Sequence, residues 1–294
     1  DEEKEGKRDD RHKKMKEAEA EMSIISMLPA ECISHIVSCT TPLDACRSSL
    51  VSHLFRIAAD SDIVWERFLP QDYKEIISSS LNSLSKKDLY FHLCNHPIII
   101  GNGNMSMALE KKSGKKCYMV GARGLTVIWG DTPQYWQWIS LPESRYSHRK
   151  EYVICESHDR FSQVAKLNIV CWLDIKGYIE TKNLSPRTTY AAYFVYQLSS
   201  QDNPRTAATP VTLRVAYEHS AVAVEHSVIL DPVNYEGTAP PHARYRGDGW
   251  FEIEMGEFVT EEDNATVVCS LMETNDYNYK RGLIVEGIEL RPKE

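Results

Sequence analysis

Beyond Lys116 the apolar residues recur at every second position, and no other feature limits the fold of this chain as much. The runs are short. They cover Cys171 to Ile179, Tyr190 to Leu198, Val211 to Tyr217, Trp250 to Met255, Val267 to Met272 and Leu283 to Leu290. Turn-forming clusters divide them: Ser185-Pro186, Asp202-Asn203-Pro204, Pro240-Pro241 and Gly247-Asp248-Gly249. Side chains of a strand alternate between its two faces, so such runs without intervening helical periods predict an antiparallel β-sandwich.

Helical spacing is confined to the first hundred residues. Pro29 opens a helix carrying Ile33 and Ile36, Thr41-Pro42 opens a second with Cys46, Leu50, Val51 and Leu54 on one face, and Asp62 to Leu69 forms a third that Pro70 stops. A unit of that size buries little surface, which points to support from a neighbour or a partner chain. Ser85-Lys86-Lys87-Asp88 caps a further helix that Pro97 ends. Residues 1–22 hold sixteen charged side chains, nine acidic and seven basic, and read as a solvated tail. The chain is therefore expected to be multi-domain α + β: a charged tail over 1–25, a three-helix unit over 26–72, a helical connector over 73–103 and a β-sandwich over 104–294.

Charge and composition exclude several functions. A net charge of −8 argues against nucleic acid as a partner. No apolar run is long enough to span a membrane, and eight scattered cysteines suit a reducing compartment, cytoplasmic or nuclear, with thiols buried as small hydrophobes. Cys155-Glu156-Ser157-His158 and Cys94-Asn95-His96 lack a second pair at zinc spacing, so no metal or other cofactor is expected. No nucleophile elbow, phosphate loop or zinc-protease motif occurs, and no catalytic residues are assigned.

One stretch gathers aromatic rings. Val127 to Trp138 contains Trp129, Tyr135, Trp136 and Trp138 around Asp131-Thr132-Pro133-Gln134, and reads as strand, turn and extended arm. Rings at a turn beside a sheet suit either the floor of a binding site or the plug of a core. Trp138 is assigned to packing, and Trp172 and Trp250, inside alternating runs, to the core. Glu252 and Glu254 alternate with Phe251, Ile253 and Met255, which predicts a solvated strand face.

Leu28-Pro29, Val51-Ser52 and Val64-Trp65-Glu66 with Leu69-Pro70 resemble an F-box, the helical motif of cullin–RING ubiquitin ligase adaptors. The resemblance implies docking on a Skp-type linker protein, and through it on cullin, by Leu28, Pro29, Ile33, Ile36, Val51, Trp65 and Leu69. The β region is similar to the phloem protein 2 family of plant lectins, the Nictaba-related proteins, whose sandwich is jelly-roll-like. The similarity runs through Ala122-Arg123-Gly124-Leu125, Trp129 to Trp138, Cys171 to Ile175, Gly247 to Trp250, Leu271-Met272-Glu273 and Gly287 to Pro292.

That second resemblance implies binding of N-acetylglucosamine oligomers or glycoproteins without metal. It carries the family's sugar contacts onto Trp129, Trp136 and Glu273, with Thr266 where a second acid is expected. Together the two resemblances imply a non-catalytic substrate-recognition subunit of an SCF-type ubiquitin ligase. The alternatives are a β-domain that reads protein surfaces and a plain nucleocytoplasmic lectin.

Overall fold

The computed structural model describes residues 28–140, 161, 163–199, 209–230, 243–247, 249–261, 264–275 and 277–293. The expected tail at 1–25 and the turn clusters at 202–204 and 240–241 lie outside them. The chain divides into two compact units, one running to His92 with Lys111–Gly114, the other made of Leu93–Glu110 and Lys115–Glu294.

The first unit is helical: α1 (Ala30–Ser38), α2 (Pro42–Ser48), α3 (His53–Asp60), α4 (Asp62–Phe68), the single turn α5 (Tyr73–Ile76) and α6 (Lys86–Asn95), which runs past the boundary. The second expected helix is thus two. Ser52 adopts extended backbone and its side chain accepts from Phe55 N, which caps α3 and ends any continuous helix across Val51. Thr41 caps α2 in the same way through Asp44 N. Trp65 holds the centre: it is buried, its Nε1 donates to Ala59 O at 2.7 Å, and its ring packs against Phe68, Tyr90 and Phe91 at 5.1–5.7 Å. Ser34, on the buried face of α1, donates to Ala30 O and Ala58 O, so a polar residue sits in this core at no hydrogen-bonding loss.

The second unit contains fourteen described strands, all antiparallel. They are β1 (Ile98–Ile100), β2 (Met105–Leu109), β3 (Lys116–Gly121), β4 (Thr126–Val127), β5 (Trp136–Ile139), β6 (Val164–Leu167), β7 (Leu173–Glu180), β8 (Thr188–Leu198), β9 (Val211–Tyr217), β10 (Ala223–Val228), β11 (Arg244–Tyr245), β12 (Phe251–Thr260), β13 (Thr266–Glu273) and β14 (Leu283–Pro292). Pairing begins at Ile98, inside the segment expected as a helical connector. One sheet has nine strands, in the order β1-β2-β3-β14-β8-β12-β11 with β6 on β14 and β5 on β6. The other has the order β10-β9-β13-β7-β4.

The sheets pack face to face. In the smaller one, Leu271 stands opposite Ile175 on one side and Leu213 on the other, and all three are buried. Gly177 permits the close approach: a Cβ there would come within 3.0 Å of Ile288 on β14 and 3.1 Å of Leu125. Trp250 is buried with Met119, Phe161, Val164, Val195 and Ile284, in keeping with its expected core role. Among the described residues no helix is long and apolar enough to cross a membrane.

Candidate functional site

The aromatic stretch is built as its sequence suggests, but its rings divide differently. Ile128 N donates to Asp174 O at 3.0 Å, carrying the β4–β7 pairing one step beyond Val127. The chain then folds back. Gly130 N bonds Val127 O, Thr132 N bonds Trp129 O, and Tyr135 N and Trp136 N both bond Thr132 O, each at 2.9–3.0 Å. Trp129 takes φ +56, a left-handed backbone that bulky residues rarely adopt. The surrounding turn holds it there, and strain of this kind gathers at ligand-binding sites.

The ring of Trp129 is 46% exposed and leans on Tyr135, centroids 5.4 Å apart at 43°. Trp136 is only 2% exposed, and its Nε1 donates to Ile128 O at 3.1 Å. The expectation of a sugar contact at Trp136 is therefore corrected: with both faces packed, it cannot receive a pyranose. It braces the turn from beneath, as Trp138 does through a 2.9 Å bond from Nε1 to Gly130 O with the Arg123 guanidinium 3.8 Å above its ring.

A second wall is tied to this turn. Asn168 N donates to Tyr135 O at 2.8 Å and Asn168 Nδ2 to Pro133 O at 3.0 Å. Two residues on, Val170 and Lys280 exchange backbone hydrogen bonds in an isolated bridge, and Leu173 then pairs with Glu273 at the end of the β7–β13 ladder. Between those two pairings the short side is Cys171-Trp172 and the long side is residues 274–279. Lys280, fully buried, donates from Nζ to Cys171 O at 2.7 Å and forms an ion pair with Glu273. Glu273 is 8% exposed and also accepts from Asn275 N at 3.0 Å.

The family's acidic position, Glu273, is thus engaged in holding the loop. Thr266 lies at the opposite end of β13. Seven residues of extended strand put it roughly 23 Å from Glu273, so the missing second acid does not border the aromatic turn.

Trp172 departs from its assignment to the core. The ladder starts at Leu173, and Trp172, just before it, is 48% exposed. Alternation along β7 sends Leu173, Ile175 and Gly177 inward and Asp174, Lys176 and Tyr178 outward, and Trp172 has outward parity. The polar Asp174 and Lys176 on the same parity were the signal available in the sequence. On the facing segment Tyr277 and Tyr279 are also exposed. The end of the smaller sheet therefore gathers Trp129, Tyr135, Trp172, Tyr277 and Tyr279, which offer flat apolar faces together with hydroxyl and indole N–H groups.

Other expectations fall elsewhere. Glu252 and Glu254 do not form a solvated face. Glu252, nearly buried, lies 2.8 Å from both Arg246 and Arg291, while Glu254 pairs with Lys293 at 3.0 Å and accepts from Tyr193. Buried charge needs such partners. Of the seven free cysteines among the described residues, only Cys269 is buried, and Cys32 and Cys39 are exposed. No group of three or more His, Cys, Asp or Glu among the described residues could hold a metal ion.

The docking set of the helical unit also divides. Ile33, Trp65 and Leu69 are buried in its own core, which corrects their assignment to a partner surface. Pro29, Ile36 and Val51 are exposed and Leu28 is half-buried. Leu50, Ile57 and Ile63 add exposed apolar surface that the sequence reading did not assign to docking.

Fold and site together define an F-box module followed by a lectin-like β-sandwich. Residues 115–292 match the family described as Phloem protein 2, and residues 25–67 match the F-box domain. The chain belongs to the phloem protein 2 family, in the group that carries an N-terminal F-box. It is 40% identical to the putative F-box protein PP2-B12 of Arabidopsis thaliana, over 91% of this chain and 97% of that one. It is 42% identical to F-box protein PP2-B10 of the same plant, over 93% and 96%.

Proposed function

We propose that this protein is the substrate-recognition subunit of an SCF-type ubiquitin ligase, with its β-sandwich binding N-acetylglucosamine-containing glycans or glycoproteins. The observation that carries the sugar reading is the Trp129–Tyr135 pair, exposed on a turn that several backbone bonds and Asn168 hold in place. A pyranose has one apolar face that stacks on such a ring and hydroxyls that need fixed polar partners. The helical unit contributes an exposed apolar surface of Ile36, Val51, Ile57 and Ile63, suited to a Skp-type linker and through it to cullin. The chain itself transfers nothing. Its contribution is proximity, raising the effective concentration of target lysines beside the conjugating enzyme.

Tryptophan fluorescence titrated with N-acetylglucosamine oligomers tests the sugar reading. A saturable change in the wild-type chain, absent in Trp129→Ala at unchanged melting temperature, is the expected result. An equal response in both proteins counts against it. The second reading, a β-domain that recognises protein surfaces, is favoured by the burial of Trp136 and Glu273, which leaves one of the three family-derived contacts accessible. It gains if no oligomer elicits a response.

A further inference from the structure

We propose that Trp172 is a second stacking platform beside Trp129, the residue that engages a further sugar of a bound N-acetylglucosamine oligomer. This rests on the sugar-binding reading above and names a residue that the family resemblance did not assign to the site. Four observations converge.

The two rings are exposed to nearly the same extent, 46% and 48%, among tryptophans that are otherwise packed or bracing at this end of the sheet. They leave the same end of neighbouring strands: Thr126 pairs with Lys176, Val127 with Ile175, and the Ile128–Asp174 bond continues the register toward Trp172. Neighbouring strands run about 4.8 Å apart, so the two rings rise from adjacent backbones.

Both are also held in advance. The Trp129 turn hangs on Asn168, and the peptide preceding Trp172 is gripped at the Cys171 carbonyl by the buried Lys280 ammonium. Positions fixed before binding lose little entropy when a ligand arrives. Finally, the segment opposite Trp172 carries Tyr277 and Tyr279, whose exposed hydroxyls can bond the rim of a sugar lying on the indole. One platform suffices for a single pyranose. Two exposed rings at one sheet end, with tyrosine hydroxyls along one of them, suit successive residues of a chain.

The test is calorimetric titration of the full chain with the dimer and the tetramer of N-acetylglucosamine, using wild type, Trp172→Ala, Trp172→Phe and Trp129→Ala. The wild type binds the tetramer more tightly than the dimer. Trp172→Ala weakens the tetramer by about tenfold, the scale of one lost aromatic contact, and leaves the dimer unchanged. Trp172→Phe, which keeps a ring, recovers part of the loss, and thermal unfolding of each variant shows that the fold is intact. Tetramer affinity unchanged in Trp172→Ala, with both sugars lost in Trp129→Ala, overturns this inference and leaves the sugar reading standing. A wild-type chain that binds neither sugar overturns both.

Discussion

Glu273 and Lys280 form an ion pair that closes the two ends of the 274–279 segment opposite Trp172. Lys280 has no exposed surface and Glu273 has little, so each charge depends on the other and on its hydrogen bonds for solvation lost on folding. The ion pair is an internal clamp on the rim of the site.

Removing one partner strands the other. Lys280→Met is expected to lower the unfolding free energy by about 3–5 kcal/mol, as for other broken buried pairs. The double variant Lys280→Met/Glu273→Leu is expected to cost less than the sum of the single changes. Urea unfolding of the three variants measures both effects. Additive losses show that the pair is not coupled.

Trp136 and Trp129 separate stability from binding. Trp136→Ala empties a packed position and is expected to cost about 3–5 kcal/mol. Trp129→Ala, at a half-exposed ring, is expected to change the melting temperature little while removing the sugar response. Differential scanning calorimetry beside the fluorescence titration reads the contrast, and equal destabilisation by both changes would mean that Trp129 is also a core residue.

The helical unit offers a comparable contrast. Ile57→Asp puts a charge on exposed surface and is expected to abolish co-purification with the Skp-type linker while leaving circular dichroism unchanged. Ile33→Asp buries an unpaired charge and is expected to unfold the unit. Retention of the linker by a folded Ile57→Asp chain excludes that face as the docking surface.

Thiol labelling maps the same surface. Burial pushes the pKa of the Cys269 thiol up to about 12, so at pH 8 it remains protonated and unreactive in the folded chain. Cys32, exposed on the α1 face that carries Ile36, and Cys39, exposed at the cap just past the end of α1, are expected to alkylate readily and to be protected when the linker is bound. Mass spectrometry of peptides from iodoacetamide-treated protein checks each site. Rapid native labelling of Cys269 would show that the sandwich opens.

Much of this architecture was legible because its signals are local. Period-two alternation marked β7, β8, β9 and β13 with nearly their observed bounds, and Asp131 to Gln134 marked the turn before β5. What the pattern could not give was the depth of each ring. Trp129 and Trp136 flank one turn, but a left-handed backbone at Trp129 turns one ring outward, and the bond to Ile128 O draws the other inward. Trp172 fell inside an apolar run, while its exposure depends on the ladder starting one residue later. The engagement of Glu273 with Lys280, like that of Glu252 with two arginines, depends on partners brought together only by sheet register. The Val51-Ser52 step was visible as a family feature, and its capping role, which splits one expected helix into α2 and α3, follows from the Ser52 hydroxyl.

A bridging experiment with purified components tests most directly whether this chain joins a glycan to the ligase scaffold. Beads bearing a glycoprotein rich in N-acetylglucosamine oligomers are incubated with the Skp-type linker bound to cullin, with or without this chain. The linker is expected to be retained only when the intact chain is present. Trp129→Ala is expected to sever the chain from the beads, and Ile57→Asp to sever the linker from the chain. Linker retained without the chain, or equally well by the Trp129→Ala variant, would contradict that bridging role.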